Sequence, residues 1–350
     1  MLDLHAVILE DLENIVSQSI SWDKLRGKTV LITGASGMIA SYLVYTLLYL
    51  NETRAASIRV LALVRHKDKA LARFGPIAER PDFQLLVQDV CDPLPDCGPV
   101  HYIIHAASQA SPRQFTTDPV GTIRANTVGT ATMLEEAVKQ RAEGFLLLST
   151  REIYGVQATA KEYAAENDYG KLDPSAVRSC YPESKRMAET LCAAYAAQFD
   201  VPAKVARIAH TYGPGITLGD GRVVGDFVSN VINGQNIVMN SDGSAILGLT
   251  YLSDLIAGLF LVLLDAPHFV YNVSSMDGIL SVGELAKVLV GLFPEQKLQV
   301  QLKSISAQEK AGYLSHKIAL LDSESIMKEG WRPQVSIEAG FRRTIQYYKK

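Results

Sequence analysis

The sequence predicts an α/β fold: a Rossmann-like, doubly wound parallel sheet followed by a smaller C-terminal α/β region. Three observations support this fold class. Near-continuous apolar strands alternate with helical patterns over the first two-thirds of the chain, as in parallel sheets that are covered on both faces. The first strand ends in a glycine turn that opens a helix, which is typical of nucleotide-binding sheets. After residue 213 the pattern loosens into shorter elements and glycine-containing loops.

Composition and charge narrow the class of protein. The chain has 350 residues, of which 48% are hydrophobic and 20% are charged, as in soluble globular proteins. Its net charge is −3 and it has no long basic run, so nucleic acid is not an expected partner. The most apolar run, residues 256–264, is too short to span a bilayer, and the start of the chain lacks a signal-peptide pattern. The four cysteines form no CxxC pair, so we expect reduced thiols in a cytoplasmic protein. No cysteine or histidine cluster has metal-ligand spacing, so neither a metal ion nor a membrane is expected as a partner.

Hydrophobic periodicity predicts the elements and their division into regions. Residues 1–26 carry apolar side chains at helical spacing and predict an N-terminal helical extension. A dinucleotide-binding domain is expected over 27–212, with parts of 246–275, and a substrate-binding region over 213–245 and 276–350. Strands are predicted at 28–33, 58–64, 83–90, 100–107, 144–150 and 203–213. Helices are predicted at 39–50, 122–140, 182–199 and 256–264.

The stretch TGASGMIA, residues 33–40, has the form of a dinucleotide-binding turn. Gly34 allows the tight turn, and Gly37 lets the backbone approach a pyrophosphate at the start of the next helix. The third position of this fingerprint is Ala40, a small residue that permits close packing of the helix on the strand. Because the turn stands between a predicted strand and a predicted helix, it indicates an NAD(P) site.

The end of the second predicted strand bears on the choice between NAD(H) and NADP(H). An NAD site normally has Asp or Glu there, which binds the ribose 2′-hydroxyl. Here Val64 stands at that position, and Arg65, His66 and Lys67 follow it. Those cations suit a 2′-phosphate, so the sequence favours NADP(H). Asp68, one step further along, keeps NAD(H) open, as does the alternative that Arg65 and Lys67 are ordinary loop cations.

The stretch YPESK, residues 181–185, predicts acid/base chemistry. It places Tyr181 and Lys185 four residues apart at the start of a helix, hence on one face, and Pro182 suits the first helical turn. A nearby ammonium lowers the pKa of a phenol. Tyr181 can then exchange a proton with a substrate hydroxyl while hydride moves to or from a nicotinamide. The preceding predicted strand ends in Ser149 and Thr150, which supplies a hydroxyl for the same site.

Further motifs resemble the extended short-chain dehydrogenase/reductase family. The matching stretches are TGASGMIA, QDV (88–90), HAAS (105–108), ANTVGT (125–130), STREIYG (149–155), YPESKR (181–186) and HTYGP (210–214). Within that family the chain is most similar to the UDP-glucuronate decarboxylase group, through residues 110–130, 219–228, 251–259 and 329–333. The resemblance implies that a nucleotide-sugar is oxidised at C4, and that the ketone then permits decarboxylation, dehydration or epimerisation. It also implies a homodimer formed through the long helices at 122–140 and 182–199.

The resemblance assigns roles to residues of this chain. Thr150 orients the reacting hydroxyl, and Tyr181 is the acid/base. Lys185 holds the ribose and tunes Tyr181, while Glu152 matches the catalytic or positioning carboxylate of the family. The residues expected around the cofactor are Gly34, Ser36, Gly37, Met38, Ile39, Arg65, Lys67, Asp89, Val90, His105, Ala106, Ala107 and Lys185. The residues expected around the substrate are Ser108, Arg113, Arg151, Arg178, His210 and Arg222.

Three positions depart from the resemblance. Relatives carry Ser or Asp where Arg151 stands, and Asp there is an acid in sugar 4,6-dehydratases, so Arg151 argues against dehydration. Relatives carry Asn at His210 and a diphosphate-binding arginine near Leu247. Two interpretations of Arg151 stay open, because it either binds an anion or forms an exposed ion pair with Glu152. His210 is likewise either a substrate contact or a packed core residue.

Three functions follow from these patterns. The first is an NAD(P)-dependent enzyme of the epimerase, dehydratase or decarboxylase type, which modifies a nucleotide-activated sugar or polyol through hydride transfer at a carbinol. The alternative is an NADPH-dependent reductase of a nucleotide-linked keto-sugar, which the cations Arg65 and Lys67 favour. The remote alternative is a non-catalytic dinucleotide sensor. Thr150, Tyr181 and Lys185 together argue against a sensor, because it has no chemical need for them.

Overall fold

Strands and helices alternate along the part of the chain that the computed structural model describes, namely residues 2–110, 112–156, 163–219, 221–302 and 320–349. In chain order, the strands there are β1 (Thr29–Thr33), β2 (Arg59–Val64), β3 (Phe83–Val87), β4 (Tyr102–His105), β5 (Gly144–Thr150), β6 (Tyr163–Ala164), β7 (Ala203–Ile208), β8 (His210–Tyr212), β9 (Ile237–Met239), β10 (Ile246–Tyr251), β11 (Val270–Val273), β12 (Ile279–Ser281), β13 (Val300–Leu302) and β14 (Leu320–Leu321).

The helices of the same residues follow the strands closely. They are α1 (Ala6–Val16), α2 (Met38–Arg54), α3 (Lys67–Phe74), α4 (Pro112–Thr117), α5 (Pro119–Gln140), α6 (Cys180–Phe199), α7 (Val223–Ile232), α8 (Leu252–Leu264), α9 (Val282–Gly291), α10 (Glu324–Lys328) and α11 (Ile337–Tyr348). Helix α5 begins three residues earlier than the sequence pattern predicts. The reason is local, since the side chain of Asp118 accepts a hydrogen bond from the backbone N–H of Gly121 and Pro119 fits the first helical position.

A parallel sheet forms the centre of the molecule, in the order β3–β2–β1–β4–β5–β7–β11. Each adjacent pair in this sheet is parallel. The strand order reverses between β1 and β4, which is the position where doubly wound sheets bind their ligands. The predicted fold class is confirmed, and the strands predicted in the first 150 residues correspond to β1–β5.

Two hydrophobic cores cover the two faces of the central sheet. On one face, α1, α2 and α8 pack with side chains such as Leu12, Leu43 and Phe260, all fully buried. On the other face, α5 and α6 contribute Met133 and Cys192, which are also fully buried. Helices therefore lie on both faces, as the near-continuous apolar strands predict.

A third core lies beyond the carboxyl edge of the central sheet. It is built from α7, α9, α11, β9 and β10, with buried side chains such as Val228, Leu285 and Phe341. The strand predicted at 203–213 is wrong in one respect, because the chain forms two strands there. Strand β7 stays in the central sheet, whereas β8 pairs with β10 in a separate sheet of order β12–β10–β8. This change of sheet carries the chain across the carboxyl edge, where the candidate site lies.

Candidate active site

A cavity of about 300 Å³ opens at the carboxyl ends of the central strands. Residues from the central-sheet part of the chain and from the part after residue 209 face each other across it. From the first part they are Met38, Ile39, Ala110, Phe115, Thr150, Arg151, Glu152, Tyr181, Ile208 and Ala209. From the second part they are His210, Thr211, Ile216, Arg222, Val223 and Val224.

The glycine turn after β1 leaves room for a pyrophosphate. Gly34 has φ +64°, and a Cβ added there would lie 2.8 Å from the Cα of Ala107, so the turn and the end of β4 approach closely. Gly37 precedes α2 without a side-chain cap, so the first N–H groups of the helix are available to an anion. The neighbouring Ser36, Met38 and Ile39 are not buried. These features fit a dinucleotide, for which this turn would hold the phosphates.

The loop that links the end of β4 to the cavity is fixed by Thr33. The backbone N–H groups of Ala106 and Ala107 donate to the Thr33 hydroxyl, at 3.1 and 3.0 Å. The same hydroxyl lies 2.9 Å from Nδ1 of His105. His105 is fully buried, and burial lowers its pKa to about 3. His105 is therefore neutral at physiological pH, with its ring buried against Thr33.

The cations expected near the cofactor ribose lie at the surface beyond β2. Val64 is buried at the end of the strand, whereas Arg65 and Lys67 are exposed. Asp89 lies nearby, and the backbone N–H of Cys91 together with the charge of Arg65 lowers its pKa. Val90 is buried against Gly129 of α5. The basic loop and Asp89 thus follow the neighbouring strands β2 and β3 at the carboxyl edge of the central sheet.

Tyr181 lies at the first turn of α6 with its ring enclosed. It is 7% exposed, and the ring of Phe115 stacks on it with the centroids 4.7 Å apart. Burial and the charge of Glu152 raise the pKa of Tyr181, while the Thr150 hydroxyl and Arg178 act in the opposite direction. Without ligand, the phenol is therefore protonated at neutral pH.

Lys185 lies one turn along α6 and is buried. Its Nζ donates a hydrogen bond of 2.8 Å to the backbone carbonyl of Leu148 on β5, and burial lowers its pKa to about 8. The sequence predicts that this ammonium lowers the pKa of Tyr181, but in the ligand-free arrangement the pKa of Tyr181 stays above its usual value. The reason is that burial of the phenol outweighs the stabilising groups around it.

Glu152 forms its ion pair with a residue of another segment. Nη2 of Arg178 lies 2.8 Å from Oε2 of Glu152, and the guanidinium also stacks over Phe115 at 4.5 Å from the ring centroid. Arg151 is only 6% exposed. The alternative of an exposed Arg151–Glu152 ion pair is therefore wrong, because Arg151 is buried and the carboxylate of Glu152 pairs with Arg178.

Arg151 contacts His210 across the cavity. Its Nη2 lies 3.1 Å from Nε2 of the imidazole. The ring of His210 has exposed surface and lines the cavity, so it is not a packed core residue. Removal from bulk water, followed by the charges of Arg151 and Arg222, lowers the pKa of His210 to about 3. The imidazole is thus neutral at physiological pH. Burial lowers the pKa of Arg151, while the charge of Glu152 acts in the opposite direction.

The remaining predicted substrate residues are not equally close to the cavity. Arg222 lines it at the start of α7. Arg113 is exposed on α4 and is not among the lining residues. The hydroxyl of Ser108 donates to Oδ1 of Asn126 on α5, at 2.8 Å. Leu247, the position at which the resemblance implies a diphosphate-binding arginine, is buried in the third core.

Sequence reasoning missed Phe115, which covers both Tyr181 and Arg178. An aromatic residue in a six-residue helix carries no distinctive spacing, so no pattern in the sequence signals this contact. In the part of the chain that the structure describes, no cluster of three or more His, Cys, Asp and Glu residues is placed to hold a metal ion. No helix among the described residues is both long and apolar enough to cross a bilayer.

Comparison with known proteins gives a family match over most of the chain. The model of the NAD dependent epimerase/dehydratase family matches residues 30–274. UDP-glucuronic acid decarboxylase 1 of Xenopus tropicalis is 31% identical over 328 residues, which are 92% of this chain and 72% of that protein.

Solved structures share the fold. UDP-glucose 4-epimerase of Thermotoga maritima, determined with UDP-glucose, has a TM-score of 0.76 at 20% identity and covers 91% of this chain and 98% of its own. UDP-glucose 4-epimerase of Thermus thermophilus, determined with NAD, has a TM-score of 0.72 at 21% identity, covering 91% of this chain and 98% of its own.

Proposed function

The chain belongs to the NAD-dependent epimerase/dehydratase family, and from that premise we propose that it modifies a nucleotide-activated sugar or polyol with the help of NAD(P). The observation that carries this proposal is the convergence of Thr150, Tyr181 and Glu152 on one cavity, beside the glycine turn at the switch point of the sheet. The decarboxylases and epimerases to which the chain is similar act on nucleotide-sugars. The reaction type is therefore epimerisation, decarboxylation or a related step.

The site residues divide the work between orientation and proton transfer. When bound, a nicotinamide accepts a hydride from a sugar carbinol and can return it. Thr150 orients the reacting hydroxyl, Tyr181 moves its proton, and Lys185 holds the ribose. Because the Tyr181 phenol is protonated without ligand, it is ready to donate a proton to a ketone. Removing a proton from a hydroxyl requires a further positive charge near the phenolate.

The test combines a spectroscopic and a mass measurement. Purified protein is incubated with NAD⁺ or NADP⁺ and a panel of UDP- and dTDP-sugars, and reduced nicotinamide and product mass are followed together. Substrate conversion with only catalytic amounts of cofactor is the expected result. Stoichiometric loss of NADPH would instead support the reductase alternative, which the similarity to decarboxylases and epimerases does not favour. No conversion of any sugar would contradict the proposed function.

The preference for NADP(H) over NAD(H) is a proposal of its own. It rests on Val64 at the position where NAD sites carry an acid, and on the exposed cations Arg65 and Lys67 beyond it. Changing both cations to Ala should weaken NADP⁺ binding about tenfold or more and leave NAD⁺ binding unchanged. Tighter binding of NAD⁺ than of NADP⁺ by the unmodified protein would contradict this preference.

The region after residue 212 is proposed to bind the substrate. Ile216, Arg222 and Val224 line the cavity opposite Tyr181, and they belong to the proposed segments 213–245 and 276–350. Within these segments, residues 220, 303–319 and 350 lie outside the described residues. The first 26 residues, by contrast, are proposed as a helical extension that packs on α2 and α8.

A homodimer is proposed through α5 and α6. These two adjacent helices expose Val120, Ile123, Val128 and Met187, with exposed fractions between 40% and 65%. An apolar surface of this kind is typical of a protein interface. Light scattering should give twice the monomer mass, and Ile123→Glu should shift it towards the monomer. A monomeric unmodified protein would contradict the proposal.

A cytoplasmic location is proposed from the cysteines. All four are free thiols, and Cys97, Cys180 and Cys192 are buried. Free thiols of this kind are typical of reducing compartments.

A further inference from the structure

The cavity contains a buried cation, Arg151, that forms no ion pair with a described carboxylate, while the charge of Glu152 acts on it from a distance, against the burial that lowers its pKa. Arg151 is 6% exposed, and within the described residues its side chain contacts His210 rather than an acid. Its neighbour Glu152 is paired with Arg178. Burying a charge without a partner is costly, so an anion from outside the chain is the natural partner of Arg151.

Neither His210 nor Glu152 forms an ion pair with Arg151, because the imidazole is neutral and Arg178 pairs with Glu152. His210 is neutral at physiological pH because its pKa is lowered to about 3. Nε2 of the imidazole lies 3.1 Å from Nη2 of Arg151. This contact orients the guanidinium but does not neutralise its charge. The one acid among the described lining residues, Glu152, is already paired with Arg178, which leaves Arg151 without an ion pair from that part of the wall.

The position of Arg151 determines which part of a substrate meets this charge. Arg151 directly follows Thr150 at the end of β5, and both line the cavity with Tyr181. An anion held by Arg151 therefore shares one cavity with the carbinol that Thr150 orients, as a group on the sugar ring would.

We propose, on the premise of the proposed function, that Arg151 binds a carboxylate on the sugar ring of the substrate and that the reaction leaves this carboxylate in place. The substrate class is then an acidic nucleotide-sugar, and the net reaction is epimerisation. Retention of the carboxylate is assigned to the guanidinium of Arg151, which lines the cavity beside Thr150.

The chemistry of decarboxylation explains the assignment. After oxidation at C4, loss of carbon dioxide breaks the C5–C6 bond, and its electron pair moves into the ketone to give an enolate. The carboxylate becomes neutral in that step. An ion pair with Arg151 stabilises the charge that the step removes, so it stabilises the ground state more than the transition state and slows the step. Return of hydride to the opposite face of C4, with a proton from Tyr181, gives the epimer with every atom retained.

A binding experiment tests the first half of the proposal. Calorimetry on the protein with bound NAD⁺ compares UDP-glucuronate with UDP-glucose, which lacks the carboxylate. The unmodified protein should bind UDP-glucuronate more tightly, and Arg151→Ser should weaken that binding about tenfold or more. The affinity for UDP-glucose should stay within about threefold, and Arg151→Lys should recover part of the loss. Equal affinities for the two sugars, or an equal loss for both in Arg151→Ser, would overturn the proposal.

A product experiment tests the second half. With UDP-glucuronate, the unmodified protein should give a product of unchanged mass, whereas Arg151→Ser should release carbon dioxide. Arg342→Ser, which removes an exposed arginine on α11, is the matched control and should behave like the unmodified protein. Carbon dioxide release by the unmodified protein would overturn the proposal. Selective binding of UDP-glucuronate without any hydride transfer would support the role of Arg151 and contradict the proposed function instead.

Discussion

At the scale of single residues, the proton affinity of Tyr181 depends on its enclosure. The stacked ring of Phe115 and the charge of Glu152 favour the neutral phenol, while Thr150 and Arg178 favour the phenolate. The sequence predicts that Tyr181 and Lys185 lie on one face of a helix, because they are four residues apart. It could not predict the partners of Tyr181, since Phe115 precedes it by 66 positions in the chain (181 − 115).

Removing the hydroxyl of Tyr181 tests its role directly. Tyr181→Phe keeps the ring that packs on Phe115 but removes the group that moves a proton. Turnover should fall by about a hundredfold or more, whereas the Kd for the cofactor should change by less than about threefold. Kinetics and calorimetry on the same preparation separate the two effects. A variant that retains full turnover would refute the acid/base role.

Gly34 is the residue whose replacement should most affect cofactor binding. Its φ of +64° disfavours any side chain, and a Cβ would lie 2.8 Å from the backbone of Ala107. Gly34→Ala should therefore separate the turn from the end of β4 and weaken cofactor binding at least tenfold, by about 1.4–3 kcal/mol. Gly291→Ala is the matched control, because nothing lies within 4 Å of an added Cβ there. Unchanged cofactor affinity in Gly34→Ala would contradict a role for this turn.

At the scale of elements, α6 carries Tyr181 and Lys185 and is held to the central sheet by buried polar contacts. Glu189 lies one turn beyond Lys185, and its carboxylate accepts hydrogen bonds from Nε and Nη2 of Arg207 on β7. The distance between Nη2 and Oε2 is 2.7 Å. The hydroxyl of Ser149 on β5 also donates to Glu189. Arg207 is 1% exposed. These buried polar contacts therefore join β5, α6 and β7. They fix the position of α6 relative to β5, the strand that carries Thr150.

Breaking that buried pair should destabilise the protein. Glu189→Gln leaves the guanidinium of Arg207 without its charge partner and should lower the free energy of unfolding by about 3 kcal/mol or more. Urea denaturation measures this change. The exposed pair between Lys328 and Glu324 serves as a control, because its loss should cost at most about 1 kcal/mol. Equal effects of Glu189→Gln and Glu324→Gln would show that burial does not matter here.

The change of sheet after β7 shows where sequence patterns stop being informative. The sequence predicts one apolar strand at 203–213. In the structure, β7 ends at Ile208, and β8 pairs with β10 in a different sheet. The choice depends on β10, whose Leu249 pairs with His210 from a distant part of the chain. Local periodicity identifies a strand but not its partner, so the second half of the cavity wall could not be predicted.

At the scale of the whole molecule, a buried aspartate joins four elements. Asp11 on α1 is fully buried and accepts hydrogen bonds from Tyr42 and Tyr251, while Nη1 of Arg343 lies 2.8 Å from its Oδ1. Burial outweighs these partners and raises the pKa of Asp11 to about 6. Asp254 behaves in the same way, since burial raises its pKa to about 6.

This aspartate should make stability depend on pH. A carboxyl whose folded pKa lies above the unfolded one stabilises the fold fully below about pH 4, and this stabilisation is lost as the pH rises through 6. From pH 7 to pH 5, the unmodified protein should therefore gain about 1 kcal/mol relative to Asp11→Asn. The comparison with the variant is needed because His105 and His210, with lowered pKa values, act in the opposite direction.

Urea denaturation at pH 5, 6 and 7 measures this difference. Asp23→Asn, which removes an exposed aspartate, should show no such dependence relative to the unmodified protein. A constant difference between the unmodified protein and Asp11→Asn across the range would contradict the assignment.

The link between Asp11 and Arg343 also constrains how the protein is made. The two residues are 332 positions apart, so the first helix emerges from the ribosome long before its counterion is synthesised. Domains generally fold from the N-terminal end during synthesis, but α1 cannot complete its contacts before α11 has been synthesised. Until then, the side of the first helix that contacts α11 stays uncovered.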